Sequence, residues 1–126
     1  MKIEERLVDI EREVGRMSMV LQAGEYSSRD LKSEHQTLKE LIDNLSDLTG
    51  SCEDWLDNHA EGTRKYGQVE EQAGAIEDAA VDLGEAEDLM LDLLKKPESG
   101  KLAQEVSICL DRACQRLVEA VEATSR

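Results

Sequence analysis

The amino-acid sequence predicts an all-α protein, and three observations carry this prediction. Charged residues make up 35% and apolar residues 40% of the 126 residues, a composition typical of helical bundles and coiled coils. Aromatic residues make up only 2%, so a core has to be built from aliphatic side chains. Apolar residues recur every three or four positions over most of the chain, as in amphipathic helices. The length corresponds to a single helical domain, residues 1–126.

The first two helices are predicted at 2–23 and 28–59, where apolar residues follow a heptad spacing. The heptad phase does not change between them, which also permits one continuous helix. However, Gly24 is suited to ending a helix, and Ser27 and Asp30 have the spacing of a capping box. We therefore predict a turn between the two helices, and at most a kink within the second.

The second half of the chain predicts two more helices. Residues 60–67 contain two glycines and no periodicity, which indicates a loop, and a third helix is predicted at 68–96. Pro97 ends that helix, and a fourth is predicted at 101–124. Short connections favour an antiparallel, up-down-up-down four-helix bundle with coiled-coil-like heptad packing. A long helical hairpin that dimerises fits the same pattern, and domain swapping would interconvert the two forms.

The charge and the cysteines restrict the partners and the compartment. The formal net charge is −14. Nucleic-acid affinity depends on Lys and Arg neutralising phosphates, so we expect neither nucleic acid nor an anionic membrane as a partner. A basic protein partner is favoured instead. No apolar run approaches the ~20 residues of a membrane span. Three cysteines without paired spacing predict a reducing, cytoplasmic location.

Catalytic and metal-binding motifs are missing from the sequence. It contains neither HExxH nor CxxC, and no glycine-rich phosphate loop. A di-iron bundle needs Glu three residues before each inward His, but Lys32 and Leu56 occupy those positions. We therefore predict no enzyme activity, no catalytic residue, no bound metal and no cofactor. The alternative is a metal- or cofactor-binding bundle that uses His35, His59 and the cysteines across helices.

The stretch CEDWLDNH combines several reactive residue types. Cys52 and His59 share a helix face but stand about 10.5 Å apart along the axis, too far to share one zinc ion. We interpret the stretch as one edge of a packed helix, with Trp55 sealing the end of the core. His35 lies on the apolar stripe and is predicted to be either a hydrogen-bonded boundary residue or a pH-sensitive contact. Cys114 is predicted to be the most reactive thiol.

The segment 68–92 is strongly acidic, with nine acids and no Lys or Arg. Five apolar residues crowd into six positions near its end, and they surround the helix axis. One neighbouring helix cannot cover them all, so part of this end is predicted to be an apolar patch rimmed by acids. Such a patch suits a basic amphipathic helix. The candidate partner interface comprises Asp82, Glu85, Asp88, Leu89, Leu91 and Asp92.

These observations together predict a non-catalytic protein–protein interaction module. We expect a small acidic helical bundle that self-associates, as a homodimer, or binds a basic or amphipathic partner helix, or does both. A scaffold, an adaptor and a small chaperone are all compatible with this size and charge. The sequence predicts a protein partner but carries no motif that identifies it.

Overall fold

The chain folds into a bundle of helices. The structure, a computed structural model, describes residues 3–125, and within this range all regular secondary structure is α-helical. The prediction of an all-α helical bundle is therefore confirmed. The helices are α1 (Ile3–Ala23), α2 (Ser28–Asp57), α3 (Arg64–Lys95) and α4 (Gly100–Ala123).

A tight turn separates α1 from α2, as predicted. Gly24 adopts a positive φ of 71°, a conformation that costs glycine little and other residues more. The side chain of Ser27 accepts a hydrogen bond from the backbone N–H of Asp30 at 3.1 Å. The Asp30 carboxylate in turn accepts one from the backbone N–H of Ser27 at 2.9 Å. This capping box satisfies two backbone donors and fixes the start of α2.

The loop between α2 and α3 is shorter than the sequence indicated. Residues 64–67 were expected in the loop but form the first turn of α3. The hydroxyl of Thr63 accepts a hydrogen bond from the backbone N–H of Tyr66 at 3.1 Å, which caps the helix and extends it despite Gly67. At the other side of the loop, α2 ends at Asp57, so His59 lies beyond the helix.

Buried aliphatic side chains from all four helices form one core. No phenylalanine is present in the chain, and Leu and Met provide most of the large side chains. The composition had required such an aliphatic core. The largest fully buried residues are Leu7, Met17, Leu31, Leu38, Leu45, Leu48, Ile76, Leu83, Met90, Leu93, Leu110 and Leu117.

The four helices do not contact one another equally. The most extensive contact joins α3 and α4, and α1 packs on α4 while α2 packs on α3. The backbones of α1 and α2 approach at only a few positions. Glu4 near the start of α1 contacts Thr124 just beyond α4, and Ser18 contacts Ser107.

A buried polar layer connects all four helices near one end of the bundle. The side-chain amide of Gln72 on α3 donates to the carbonyl of Ala120 at 3.1 Å and to the hydroxyl of Thr124 at 3.3 Å. The Cys52 thiol of α2 donates to the Gln72 carbonyl oxygen at 3.9 Å. Thr124 donates to the Glu4 carboxylate of α1 at 2.7 Å. Both polar ends of the buried Gln72 side chain therefore have partners.

Candidate functional site

The candidate interface on α3 does not lie on one side of the helix. Leu89 and Leu91 are two residues apart, which is roughly 200° around the helix axis. Leu89 is half-buried and packs against the core, whereas 43% of Leu91 is exposed. The apolar crowding at this end is therefore divided between the core and the surface. Met90 and Leu93 are fully buried and complete the inward side.

Two acids of the candidate interface are bound within the molecule. Arg112 on α4 lies 3.0 Å from the Glu85 carboxylate (Nη2 to Oε2) and 3.9 Å from Asp82 (Nε to Oδ1). Arg116 lies 4.0 Å from the second oxygen of Asp82. Burial raises the pKa of the Asp82 carboxyl, although both arginines act in the opposite direction. Asp82 and Glu85 thus connect α3 to α4.

The other acids of the candidate interface point away from the bundle. Asp88 and Asp92 are exposed and form no ion pair with any residue in the range 3–125. Val81, which the sequence analysis missed, is 63% exposed and shares their side of the helix, since 81, 88 and 92 are seven and four residues apart. In the sequence, Val81 stood out only as an apolar residue of the acidic segment 68–92 that does not belong to the inward apolar stripe. We call Val81, Asp88, Leu91 and Asp92 the outer α3 surface.

The CEDWLDNH stretch forms an aromatic cluster beside the α2–α3 loop. The rings of Trp55 and His59 stack with centroids 3.8 Å apart and an angle of 7° between planes. His59 Nδ1 lies 2.6 Å from the Trp55 carbonyl oxygen, a distance at which an Nδ1–H donates. Tyr66 at the start of α3 packs 6.5 Å from Trp55. Cys52 is buried in the core, so the stretch packs rather than assembling a reactive group.

The two histidines are far apart. His35 lies in α2 and His59 lies two residues beyond its end, and 24 positions at the helical rise correspond to about 36 Å. They cannot share one metal ion. Within residues 3–125, no group of three or more His, Cys, Asp or Glu side chains is arranged to hold a metal. His35 is half-buried, and its Nε2 is shielded from solvent without a hydrogen-bond partner. The expected hydrogen-bonded histidine is therefore not what the structure shows.

The cysteines are shielded rather than activated. Cys114 is half-buried, and its thiol lies 3.7 Å from the Glu11 carbonyl of α1. Burial, assisted by the negative charges of Glu11 and Asp111, raises the pKa of Cys114 to about 11. Because the thiolate is the reactive form, this environment lowers the reactivity that the sequence analysis had expected. Burial also raises the pKa of Cys52.

A polar cluster between α1 and α4 was not anticipated. Ser18 and Ser107 are buried with hydroxyl oxygens 2.8 Å apart. Ser18 donates to the Asp111 carboxylate at 2.7 Å, and the Gln22 amide donates to Ser107 at 2.9 Å. The donors thus run from Gln22 through both serines to Asp111. No histidine belongs to this cluster, and its hydrogen bonds fix the register of α1 on α4. Serines beside an apolar stripe are a weak signal, which is why the cluster was missed.

Comparisons with protein families, with characterised proteins and with solved structures find no match for this chain. Among the described residues, no helix is both long and apolar enough to cross a membrane.

Proposed function

We propose that the chain is a non-catalytic protein–protein interaction module that binds a basic amphipathic helix of a partner protein through the outer α3 surface. The observation that carries the proposal is the exposure of Val81 and Leu91 on a helix whose residues 68–92 contain nine acids and no base. Apolar anchors rimmed by carboxylates suit a helix with apolar residues on one face and Lys or Arg at its edges.

The proposal uses only part of the predicted interface. Asp88, Leu91 and Asp92 remain available to a partner, and Val81 joins them. Asp82 and Glu85 instead face Arg112 and Arg116 of α4. Because these two carboxylates already face arginines of α4, they are left out of the proposed partner surface. A protein that binds a partner helix and catalyses no reaction would act as a scaffold, an adaptor or a chaperone.

We further propose that the bundle has the antiparallel, up-down-up-down arrangement with heptad packing. The contacts of Glu4 with Thr124 and of Ser18 with Ser107 support it for α1 and α4. The contact of Cys52 with Gln72 supports it for α2 and α3, since it joins the end of one helix to the start of the next. We also propose a cytoplasmic location, because a reducing compartment keeps the three free cysteines as thiols.

The test is titration with two synthetic amphipathic helices that share the same apolar face. One carries Lys at its edges and the other carries Glu. We expect the Lys helix to bind and the Glu helix not to bind, measured by isothermal titration calorimetry and by backbone amide shifts of α3. Binding of both helices alike, or of neither, would contradict the proposal.

Matched variants locate the binding surface. Leu91→Asp and Val81→Asp each place a charge at an apolar anchor, and we expect each to weaken binding of the Lys helix about tenfold, equivalent to ~1.4 kcal/mol. Ile108→Asp makes the same change at a position of α4 that is 51% exposed, and should leave binding unchanged. All three variants should keep the melting temperature. If Leu91→Asp instead destabilises the fold, Leu91 belongs to the core and not to an interface.

A further inference from the structure

Helix α1 packs extensively on α4, and its backbone approaches that of α2, the helix that follows it in the chain, at only a few positions. Among the described helices, α1 makes no close backbone contact with α3. Arg16 forms an ion pair with Glu34 of α2, with Nη2 and Oε1 2.9 Å apart. A largely exposed arginine contributes little in such a pair. This ion pair therefore adds little to the placement of α1, whose remaining contact with α2 is through buried side chains of the shared core.

The surface of α4 that receives α1 is specific. Ser107 and Asp111 of α4 bind Ser18 and Gln22 of α1 in a hydrogen-bonded cluster that is partly buried. These contacts, together with the apolar packing around them, depend on the sequence of α1 and not on the chain to which it belongs. An α1 from a second copy makes the same contacts.

The turn between α1 and α2 is able to straighten without disturbing the apolar stripe. It spans four residues, 24–27, and the heptad phase is unchanged from Leu21 to Leu31, both buried. Gly24, with φ of 71°, and the capping box at Ser27 are the features that hold the turn closed. A straightened turn gives one continuous helix that presents α1 away from its own bundle.

We infer that α1 exchanges between copies of this chain: the α4 surface of one copy binds α1 of a second copy, and a domain-swapped dimer results. The hydrogen bonds and apolar packing between α1 and α4 that break on opening form again between chains, so the cost lies in the two turns and in the entropy of association. This inference does not depend on the outer α3 surface, which stays free in both forms.

The test is a cross-link that reports which chain supplies α1. A Cβ atom at Gly15 would lie 4.0 Å from the Cys114 sulfur, so Gly15→Cys places a thiol where oxidation can join α1 to α4. Oxidation with copper phenanthroline is done at alkaline pH, because burial raises the pKa of Cys114 to about 11. A closed monomer gives a cross-linked chain of 14.1 kDa, and an exchanged pair gives a covalent dimer of twice that mass.

Mixing of ¹⁴N- and ¹⁵N-labelled Gly15→Cys protein before oxidation identifies exchange directly. Peptide mapping then shows whether the thiol introduced at position 15 of one label is joined to Cys114 of the other. We expect mixed links after incubation at high protein concentration and only links within one chain at low concentration. Mapping also separates these links from any that involve Cys52 or Cys109.

Variants of the turn between α1 and α2 test whether opening this turn increases dimerisation. Gly24→Ala strains the closed turn, because alanine disfavours positive φ, and favours the continuous helix. We expect it to raise the dimerisation constant at least about tenfold, since two turns open per dimer and each kcal/mol is about fivefold. Ser27→Ala, which removes the cap, should act in the same direction. Gly62→Ala strains the α2–α3 loop (φ of 84°) and should leave the link within one chain.

Two results would overturn the inference. In the first, Gly24→Ala and Ser27→Ala, each combined with Gly15→Cys, both remain monomeric with every link inside one chain. In the second, dimers form but the introduced thiol still joins Cys114 of its own chain, which means that the copies associate through another surface. Dimers with mixed-label links that increase in both turn variants support it.

Discussion

The two sides of the bundle differ in the size of the side chains that separate their helices. The contact between α3 and α4 is the most extensive, and these two helices bury alanines at spacings of three, four and seven residues. The α1 and α2 backbones approach little, and these helices contribute long buried side chains. The buried alanines of α3 and α4 include Ala75, Ala79, Ala86, Ala113, Ala120 and Ala123, and the large buried residues of α1 and α2 include Leu7, Met17, Leu38, Leu45 and Leu48.

The comparison shows how a core without phenylalanine is filled. Interaxial distance depends on the side chains at the contact, so alanines allow α3 and α4 to approach, while leucine and methionine span a wider space. The close side gains many dispersion contacts between helices, and the wide side gains from removing large apolar surfaces from water. The two sides should therefore respond in opposite ways to a change in residue size.

The largest expected effect comes from exchanging these sizes. Leu45→Ala empties a fully buried position of α2, and we expect it to cost about 2–5 kcal/mol of unfolding free energy because the space is not refilled. Ala79→Leu enlarges a fully buried position of α3 and should cost about 1–3 kcal/mol through overpacking. Both are measured by urea unfolding followed by circular dichroism.

Exposed positions supply the controls for this pair. Leu91→Ala, at a residue 43% exposed, should cost much less than Leu45→Ala, and Ala23→Leu on the exposed side of α1 should be close to neutral. A neutral Ala79→Leu would show that α3 and α4 are not closely packed. A neutral Leu45→Ala would show that the wide side relaxes to fill the space.

The second expected effect concerns a polar atom on the wide side. His35 Nε2 is buried without a hydrogen-bond partner, and such a group is costly to bury. We expect His35→Leu to raise the unfolding free energy by about 1 kcal/mol, measured by urea unfolding. His59→Leu is the matched change, and it should be destabilising because His59 stacks on Trp55. If His35→Leu also destabilises, its imidazole has a favourable contact beyond hydrogen bonding.

The smallest expected effect concerns Asp82 on the close side. Its folded pKa is raised by burial, so the ionised carboxylate is less favourable in the folded than in the unfolded chain. The wild type therefore loses stability as pH rises from the ordinary Asp value of about 3.9 through the raised folded pKa. Asp82→Asn, which does not titrate, should be more stable than the wild type at neutral pH, with the difference fading in acid.

Asp88→Asn controls for the general relief of negative charge on α3. It removes the same charge from an exposed position, so the difference between the two variants isolates the environment of Asp82. The measurement is thermal unfolding across a pH series. A loss of stability for Asp82→Asn at neutral pH that fades in acid would have the opposite sign, and would mean that Arg112 and Arg116 outweigh burial.

Periodicity and capping residues by themselves determined the helices and most of their ends. The heptad stripe marks Leu7, Leu38 and Leu45 as inward, because a helix of 3.6 residues per turn brings such positions to one side. The capping box at Ser27 and Asp30 placed the first turn, since its hydrogen bonds are local. Local interactions of this kind can be recognised in the sequence. The start of α3 at Arg64 was missed because the single capping residue Thr63 lies between Gly62 and Gly67, which indicated a loop.

Tertiary structure alone decided what each small or charged residue does. Ala75, Ala79 and Ala86 are buried because α3 lies between two neighbours, and alanine carries no preference that predicts this. Asp82 faces two arginines of α4, whereas Asp88, six residues later on the same helix, faces solvent. Sequence spacing gives the direction of a side chain around its own helix. Only the placement of the neighbouring helices determines whether that direction meets a backbone, an arginine or water.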